Sequence, residues 1–463
     1  MSRPWRGASE ARDGGGAYQA RDRVARGRAS ACLLVPLALL TLVPLALAGW
    51  LWRDISAGPE LSSPPHALDA DQVQRGEYLA RIGNCLGCHT ARGGASYAGG
   101  RPLETPFGTV YASNLTPDDA TGIGRWSAEA FWRALHHGVS RDGRLLYPAF
   151  PYTNTTHVSR ADSDALHAYL RSLRAVNLPN RGPALRFPYN TQAALAFWRA
   201  LYFRPADADA ATLAMPSAPL PAADRAAWQR GAYLVRGLGH CSACHSRRNA
   251  LGGTGDASQL DGGLMPVQNW YAPSLQSPDE AGVRDWQTAQ IVALLRTGTS
   301  DRGTVHGPMA EVVHGSTQHL TPTDAAAMAN YLKSLPAVPS QRAETDEVAD
   351  VPALRQIGEK RYADRCAGCH GERGEGVPGA YPALAGNRVV LMNPPVNLVQ
   401  LIVHGGFAPS TAGNARPYGM PPYGLELKHS EIAALLTYLR SAWGNQASAV
   451  SPLSVQRWRE RID

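Results

Sequence analysis

The sequence predicts an all-α chain of three tandem units behind an N-terminal membrane anchor, and three observations carry that prediction. A five-residue string occurs three times: CLGCH at Cys85 to His89, CSACH at Cys241 to His245, and CAGCH at Cys366 to His370. Each string is preceded by a stretch with helical apolar spacing and followed, after a long Gly- and Pro-rich interval, by another. Near the N-terminus stands a run of twenty uncharged residues, Leu33 to Trp52, enough to cross the hydrocarbon core as a helix.

C-x-x-C-H is the attachment signature of c-type haem. The two thiols add across the porphyrin vinyl groups, and the adjacent His gives the iron one axial nitrogen. A lone C-x-x-C reads as readily as half a zinc site or a redox dithiol. Here every C-x-x-C is followed by His, and six of the seven cysteines lie inside the strings. Zinc ribbons need paired units, and the βαβ context of a thioredoxin-like motif is not visible. The expected cofactors are therefore three covalently bound haem c groups, on Cys85 and Cys88, Cys241 and Cys244, and Cys366 and Cys369. His89, His245 and His370 are the expected iron ligands. Cys32, in the leader, is left to packing.

The net charge of +7 raises the question of a nucleic-acid partner. Residues 1–30 hold seven arginines against Glu10, Asp13 and Asp22, so much of that charge is local. It reads as a positive-inside flank, and no nucleic-acid partner is expected. The uncharged run that follows ends in Trp50, Trp52 and Arg53, like a membrane interface, while Pro36 and Pro44 are tolerable in a membrane helix. Ala46-Leu47-Ala48 resembles a signal-peptidase site, so a cleaved signal is the competing reading. The uncleaved anchor is preferred for its length and aromatic end. Either reading exports the rest of the chain and, for a bacterial inner-membrane protein, places the haem units in the periplasm.

The expected organisation is a basic flank at 1–30, an anchor or signal at 31–53, a Pro/Ser-rich tether at 54–68, and a first unit at 69–177. A linker bearing a helix follows at 178–222, then a second unit at 223–336, a short acidic linker at 337–352, a third unit at 353–445 and a tail at 446–463. Asp69 is the expected N-cap of the first helix, with Val73, Tyr78, Leu79 and Ile82 on its buried face. The closing helices share an aromatic-Leu pair: Tyr169-Leu170, Tyr331-Leu332 and Tyr438-Leu439. The opening helices share a glycine with an aromatic close behind: Gly76 and Tyr78, Gly231 and Tyr233, Gly358 and Tyr362. Glycine there lets two helix backbones cross closely, with the aromatic filling the gap beside it. This is an internal repeat at domain scale.

Each unit resembles a class I cytochrome c: an N-terminal helix, C-x-x-C-H, long haem-wrapping loops and a closing helix packed on the first. The first two units also share parallel strings, YASNLTPDDATGIGRWS from Tyr111 and YAPSLQSPDEAGVRDWQ from Tyr271, which the third lacks. It is also shorter, 68 residues from His370 to Tyr438 against 80 from His89 to Tyr169 and 86 from His245 to Tyr331. The linker stretch Thr191 to Phe203 is apolar at helical spacing. It is expected to pack on a haem unit, with a docking surface for a partner protein as the sharper reading because Phe197, Trp198, Tyr202 and Phe203 are a large apolar load.

A Met thioether on the far side of the iron raises its potential and closes the site, giving an electron carrier. In the third unit Met420 stands in PYGMPPYG, 50 residues after His370, where the family places its ligand, and is preferred to Met392. In the second, Met309 in HGPMAEVVHG comes 64 residues after His245 and is preferred to Met265, which comes early, and to Met328, which suits core packing. The first unit departs: LYPAFPYTN puts Phe150 in the matching loop, with no Met between Met1 and Met215. Its iron is left to a His ligand (His136, His137 or His157), to an open or water-bound site, or to Met215 from the linker.

Over about residues 69–445, with LYPAFPY, NWYAP and PYNTQAALAFWRALYF, the chain resembles the tri-haem cytochrome subunits of periplasmic membrane-bound dehydrogenases. The resemblance implies a non-catalytic electron-transfer subunit that links a catalytic partner to a membrane quinone or an oxidase of the respiratory chain. That partner would be a quinoprotein alcohol dehydrogenase, a flavin-dependent gluconate or sorbitol dehydrogenase, or a molybdenum hydroxylase. No Rossmann fingerprint, nucleophile elbow or HExxH appears, so no catalytic residues are expected here. Two rivals stand: a haem peroxidase using an open first haem, and a haem subunit of a terminal oxidase.

Overall fold

Three pairs of helices cross at glycines, and the haem-motif turns and loops hang from those crossings. The computed structural model describes residues 69–206, 222–265, 267–340 and 347–459. The expected anchor and Met215 lie outside them. Among the described residues no helix is long and apolar enough to cross a membrane.

In the first unit α1 (Ala70–Ile82) begins where the Asp69 carboxylate accepts the Asp71 N–H, and it buries Gly76, Leu79, Ala80 and Ile82. Val73 and Tyr78 of the expected face are only half-buried. A hairpin of β1 (Pro102–Thr105) and β2 (Gly108–Tyr111) leads to α2 (Ala128–His137), capped by Ser127 and ended by Gly138 at φ +61°. Helix α3 (Arg160–Ser172), capped by Ser159, buries Leu166 and Leu170. The unit runs on past residue 177. Strand β3 (Ala184–Leu185) adds to β2, and the Asn180 side chain accepts the Asn114 N–H at 2.7 Å. These contacts give loop backbone the partners it would otherwise lack.

Helix α4 (Gln192–Tyr202) is the linker helix, and it packs on both neighbours. Arg199 donates to the His137 carbonyl of the first unit at 2.5 Å, and Trp198 Nε1 to the Leu251 carbonyl of the second at 2.9 Å. Its outer face keeps Phe197 and Leu201 half-exposed.

In the second unit α5 (Ala222–Tyr233) runs into a π-helical turn, Leu234–Leu238. One more residue separates Gly231 from Cys241 than Gly76 from Cys85, and the wider turn absorbs it. The hairpin β4 (Gly263–Met265) and β5 (Trp270–Ala272) precedes α6 (Thr288–Thr297). A short hairpin, β6 (Thr299–Ser300) and β7 (Gly303–Thr304), leads to α7 (Pro308–Gly315) and the closing α8 (Pro322–Ser334), capped by Thr321.

The third unit pairs α9 (Val351–Arg365) with its closing α11 (His429–Leu439). Between them lie α10 (Val396–His404) and the hairpin β8 (Gly406–Phe407) and β9 (Gly419–Met420). The tail, which carries no sequence signal, forms α12 (Pro452–Arg459) and buries Val455 in the third core.

A Cβ added at Gly76, Gly231 or Gly358 would stand 1.9, 2.0 and 2.0 Å from the carbonyl oxygens of Ala165, Ala327 and Ala434. Each of those alanines lies four residues before the Tyr of its closing helix. The aromatics divide. Tyr362, four residues after Gly358, shares its face and packs beside Tyr438 and Trp443, at 5.7 and 4.8 Å between ring centres. Tyr78 and Tyr233 come only two residues after their glycines, so they leave the crossing and reach the neighbouring unit instead.

That reach builds a crossed clamp. Asp162 accepts from Arg75 Nε of its own unit at 2.7 Å and from the Tyr233 hydroxyl of the second at 2.6 Å. Asp324 accepts from Arg230 of its own unit at 2.8 and 2.7 Å and from the Tyr78 hydroxyl of the first at 2.6 Å. The first two units accordingly share one apolar core, while the third has its own. Burial alone would raise the Asp324 carboxyl, but the hydrogen bonds from Arg230 and Tyr78 hold it below its ordinary value. A depressed carboxyl stabilises the fold above its unfolded pKa, about 3.9, and that stability is lost as pH falls through the folded value. Acid is therefore expected to loosen the joined units below about pH 4. Tyr78→Phe, at a cost of about 1.5–3 kcal/mol, is expected to move the acid midpoint upward, as circular dichroism against pH would measure.

Candidate haem centres

Each C-x-x-C-H folds as a helical turn, Cys85–Cys88, Ser242–His245 and Ala367–His370. In all three the His N–H donates to the carbonyl of the first Cys at 2.9 Å. Residues i, i+3 and i+4 share a helix face, so both sulfurs and the imidazole leave the turn on one side.

Each imidazole is then held the same way. His89 Nδ1 lies 2.7 Å from the Ser113 carbonyl, His245 Nδ1 2.7 Å from that of Pro273, and His370 Nδ1 2.9 Å from that of Pro382. A carbonyl only accepts, so Nδ1 carries the proton and Nε2 keeps a free lone pair, the tautomer a metal-bound His requires. The His carbonyls accept in turn from the N–H of Gly99, Gly262 and Gly376, at 2.8 Å each. These glycines have φ of +79°, +80° and +68°, and a Cβ on any of them would come within 2.7 Å of backbone. Neither the glycines nor the accepting carbonyls were singled out in the sequence. The signal was a Tyr one or two residues before each accepting carbonyl: Tyr111, Tyr271 and Tyr381.

None of the six cysteines in the motifs forms a disulfide. Burial pushes Cys85 and Cys241 up to about 12 and Cys366 up to about 11. A desolvated neutral sulfur suits a thioether better than a thiolate ligand. Among the described residues no group of three or more His, Cys, Asp or Glu converges as a metal cluster.

A cavity of about 460 Å³ joins the second and third motifs. Cys241, Cys244 and His245 line one part of it, and Cys366, Cys369 and His370 another. Met309 and Met420 line it too, as do Met265, Met328 and Met392. Its largely apolar wall includes Trp286, whose buried Nε1 has no hydrogen-bond partner. A largely apolar space with a thiol pair and an imidazole at each motif fits haem.

Hairpin register compares the far sides of the three sites. Val139 bridges Leu145, Thr299 pairs with Thr304, and Gly406 pairs with Met420, each just after a helix-ending glycine. Phe150 and Met309 both come five residues beyond the second partner, so Phe150 occupies the first unit's counterpart of Met309. Met420 lies within its hairpin instead. His136 and His137 correspond to Arg296 and Thr297, and His157 to His319, none of which lines the second unit's cavity. His136 is buried and stacked on Trp132 at 4.4 Å. His157, which burial lowers to about 4, faces Arg236 and Asp256 of the second unit.

The cytochrome c family matches residues 229–336 and 356–443. The chain is 38% identical over 424 residues to the cytochrome c subunit of a quinone alcohol dehydrogenase from Gluconacetobacter polyoxogenes, covering 87% of each. It is 37% identical over 397 residues to the gluconate 2-dehydrogenase cytochrome c subunit of Pantoea cypripedii, covering 81% of this chain and 87% of that one. It is also 31% identical over 442 residues to the fructose dehydrogenase cytochrome subunit of Gluconobacter japonicus, covering 90% of this chain and 87% of that one. With 37–38% identity over more than four fifths of both chains and the motif geometry such subunits would need, the chain belongs to the family of cytochrome c subunits of dehydrogenases.

Proposed function

We propose that the chain is a three-haem electron-transfer subunit, made of three tandem cytochrome c domains. It takes electrons from a catalytic dehydrogenase subunit and passes them to a membrane quinone or an oxidase. Bound at each site, haem c supplies a one-electron ferric/ferrous couple. The cysteine pairs hold it covalently, and His89, His245 and His370 offer Nε2 to the iron. Met309 and Met420, which line the cavity, would hold the iron of the second and third sites by their thioethers and would close those sites to small molecules. The leader anchors the chain in the bacterial inner membrane with the haem domains in the periplasm.

The observation that carries this reading is the threefold repetition of one motif turn, one Nδ1–carbonyl bond and one glycine N–H behind it. A pyridine haemochrome assay on the purified chain is expected to count three haems, and two after Cys241→Ala with Cys244→Ala. A count unaffected by those substitutions would sink the assignment. Detergent extraction is expected to bring a dehydrogenase subunit along, whereas an oxidase would favour the oxidase-subunit reading. Phe150 at the counterpart of Met309 supports an open first haem, and with it the peroxidase reading. Turnover of peroxide by the isolated chain would decide for that second reading.

A further inference from the structure

We propose that Arg388, a residue of the third unit, completes the second unit's haem site by binding a haem propionate together with Trp286. This rests on the three-haem reading and goes beyond it by assigning the carboxylate end of the second haem.

Trp286 is only 6% exposed, stands in the cavity wall, and has no partner for Nε1. A buried indole N–H left without an acceptor is costly, so the missing acceptor belongs to whatever fills the cavity. Two guanidinium groups flank it. Arg302 and Arg388 lie 5.6 and 5.8 Å from the Trp286 ring centre, and both line the cavity. Asp285 is their common acid, 3.2 Å from Arg302 and 3.3 Å from Arg388. Two cations share one half-exposed carboxylate. Glu280, the acid in the cavity wall, is engaged by the Ser274 N–H at 2.6 Å and the Tyr271 hydroxyl at 3.0 Å. An orphan donor beside a surplus positive charge is a carboxylate site, and propionates are the carboxylates that haem brings.

Arg388 belongs to the second haem because of where it is fixed. Its Nη1 donates to the Gly282 carbonyl at 2.6 Å, in the loop that carries Trp286. Nearby, Asn397 of the third unit pairs with both backbone groups of Tyr271 at 2.9 and 2.8 Å. The third unit is thus tied to the wall of the second unit's cavity. A neutralised propionate withdraws negative charge from the iron's surroundings and favours the ferrous state.

Spectroelectrochemical titration of the full chain in detergent tests this, with the second haem's wave identified as the one missing after Cys241→Ala with Cys244→Ala. Arg388→Gln and Trp286→Phe are each expected to lower that wave, and Arg388→Lys to keep most of it. Asp285→Asn, which removes the competing acid, is expected to raise it. Loss of an interface ion pair alone would move Arg388→Gln and Asp285→Asn in the same direction, and that result would overturn the proposal. So would an unmoved wave, or a shift of the third haem's wave in place of the second's. Should Arg388→Gln fail to fold, Asp285→Asn and Trp286→Phe carry the test, and any pattern but a rise and a fall overturns it. A haem count lacking the second haem in the unsubstituted chain would overturn the proposed function as well, whereas an intact count with an unmoved wave removes the propionate assignment alone.

Discussion

Replacing Gly358 by valine is expected to cost the protein its third haem and leave the other two in place. A Cβ there would meet the Ala434 carbonyl oxygen at 2.0 Å, where close C–H···O contacts need about 3.3 Å. The clash is with backbone, so no rotamer relieves it, and α9 and α11 must part by roughly 1.3 Å to reach that separation. Parting them loosens the Tyr362, Tyr438 and Trp443 cluster that fills the crossing. Overpacking of this kind costs about 3 kcal/mol or more. The loss stays local because the third core is separate from the one the first two units share. Gly231→Val puts the same clash, against the Ala327 carbonyl at 2.0 Å, into the shared core. It is expected to take both the first and the second haem. Haem counts of the two variants, with thermal melting, separate these outcomes; three haems and an unchanged melt in Gly358→Val would refute the argument.

The glycine crossings were legible because they repeat. Three copies of one residue type at one place, each before a haem motif, are a pattern no single copy would make. The N-cap at Asp69 was legible because capping is local, decided within two residues. What escaped the sequence is long-range. The clamp joins Tyr78 to Asp324, 246 residues apart, and helical spacing within one element says nothing of that partner. Even so, the offset of the aromatics carried a clue: two residues after glycine in Tyr78 and Tyr233, four in Tyr362, hence different faces. The π turn at Leu234–Leu238 corresponds to one inserted residue before Cys241, legible only when the glycine-to-cysteine intervals of the first two units are compared. The carbonyls behind the imidazoles could not be found from side-chain chemistry, since any residue offers one. Their positions depend on loops of different length, which place Ser113, Pro273 and Pro382 at 24, 28 and 12 residues from their histidines. The tail likewise gave nothing to read, because a short helix whose buried contact is Val455 has no distinctive period.

Phe150→Met is expected to convert the first haem from an open site to a closed one. On the proposed ligand set, in which Met309 and Met420 guard the other two haems, carbon monoxide should bind the reduced first haem alone in the unsubstituted protein. Phe150 shares its place with Met309 by hairpin register: the N–H of Leu146 donates to the Gly138 carbonyl at 2.8 Å, as that of Val305 does to Gly298 at 2.9 Å. A thioether set there takes the site that carbon monoxide used, so the spectral response should vanish and the first haem's midpoint should rise. The swap is nearly volume-conserving at a half-buried position and should cost less than about 1.5 kcal/mol, so the change would not come from unfolding. The reciprocal Met309→Phe should open the second haem and leave two that respond. These outcomes tell the readings of the first site apart. Were His136, His137 or His157 the ligand, the unsubstituted first haem would already be closed, and Phe150→Met would alter neither its carbon monoxide response nor its potential. The correspondence of those histidines with Arg296, Thr297 and His319, away from the second unit's cavity wall, argues for the open site. On the proposed three-haem reading, an open first site beside two guarded ones would give the chain one iron that a small molecule can reach, and the residue at position 150 would then separate a plain conductor from one that also senses or reacts.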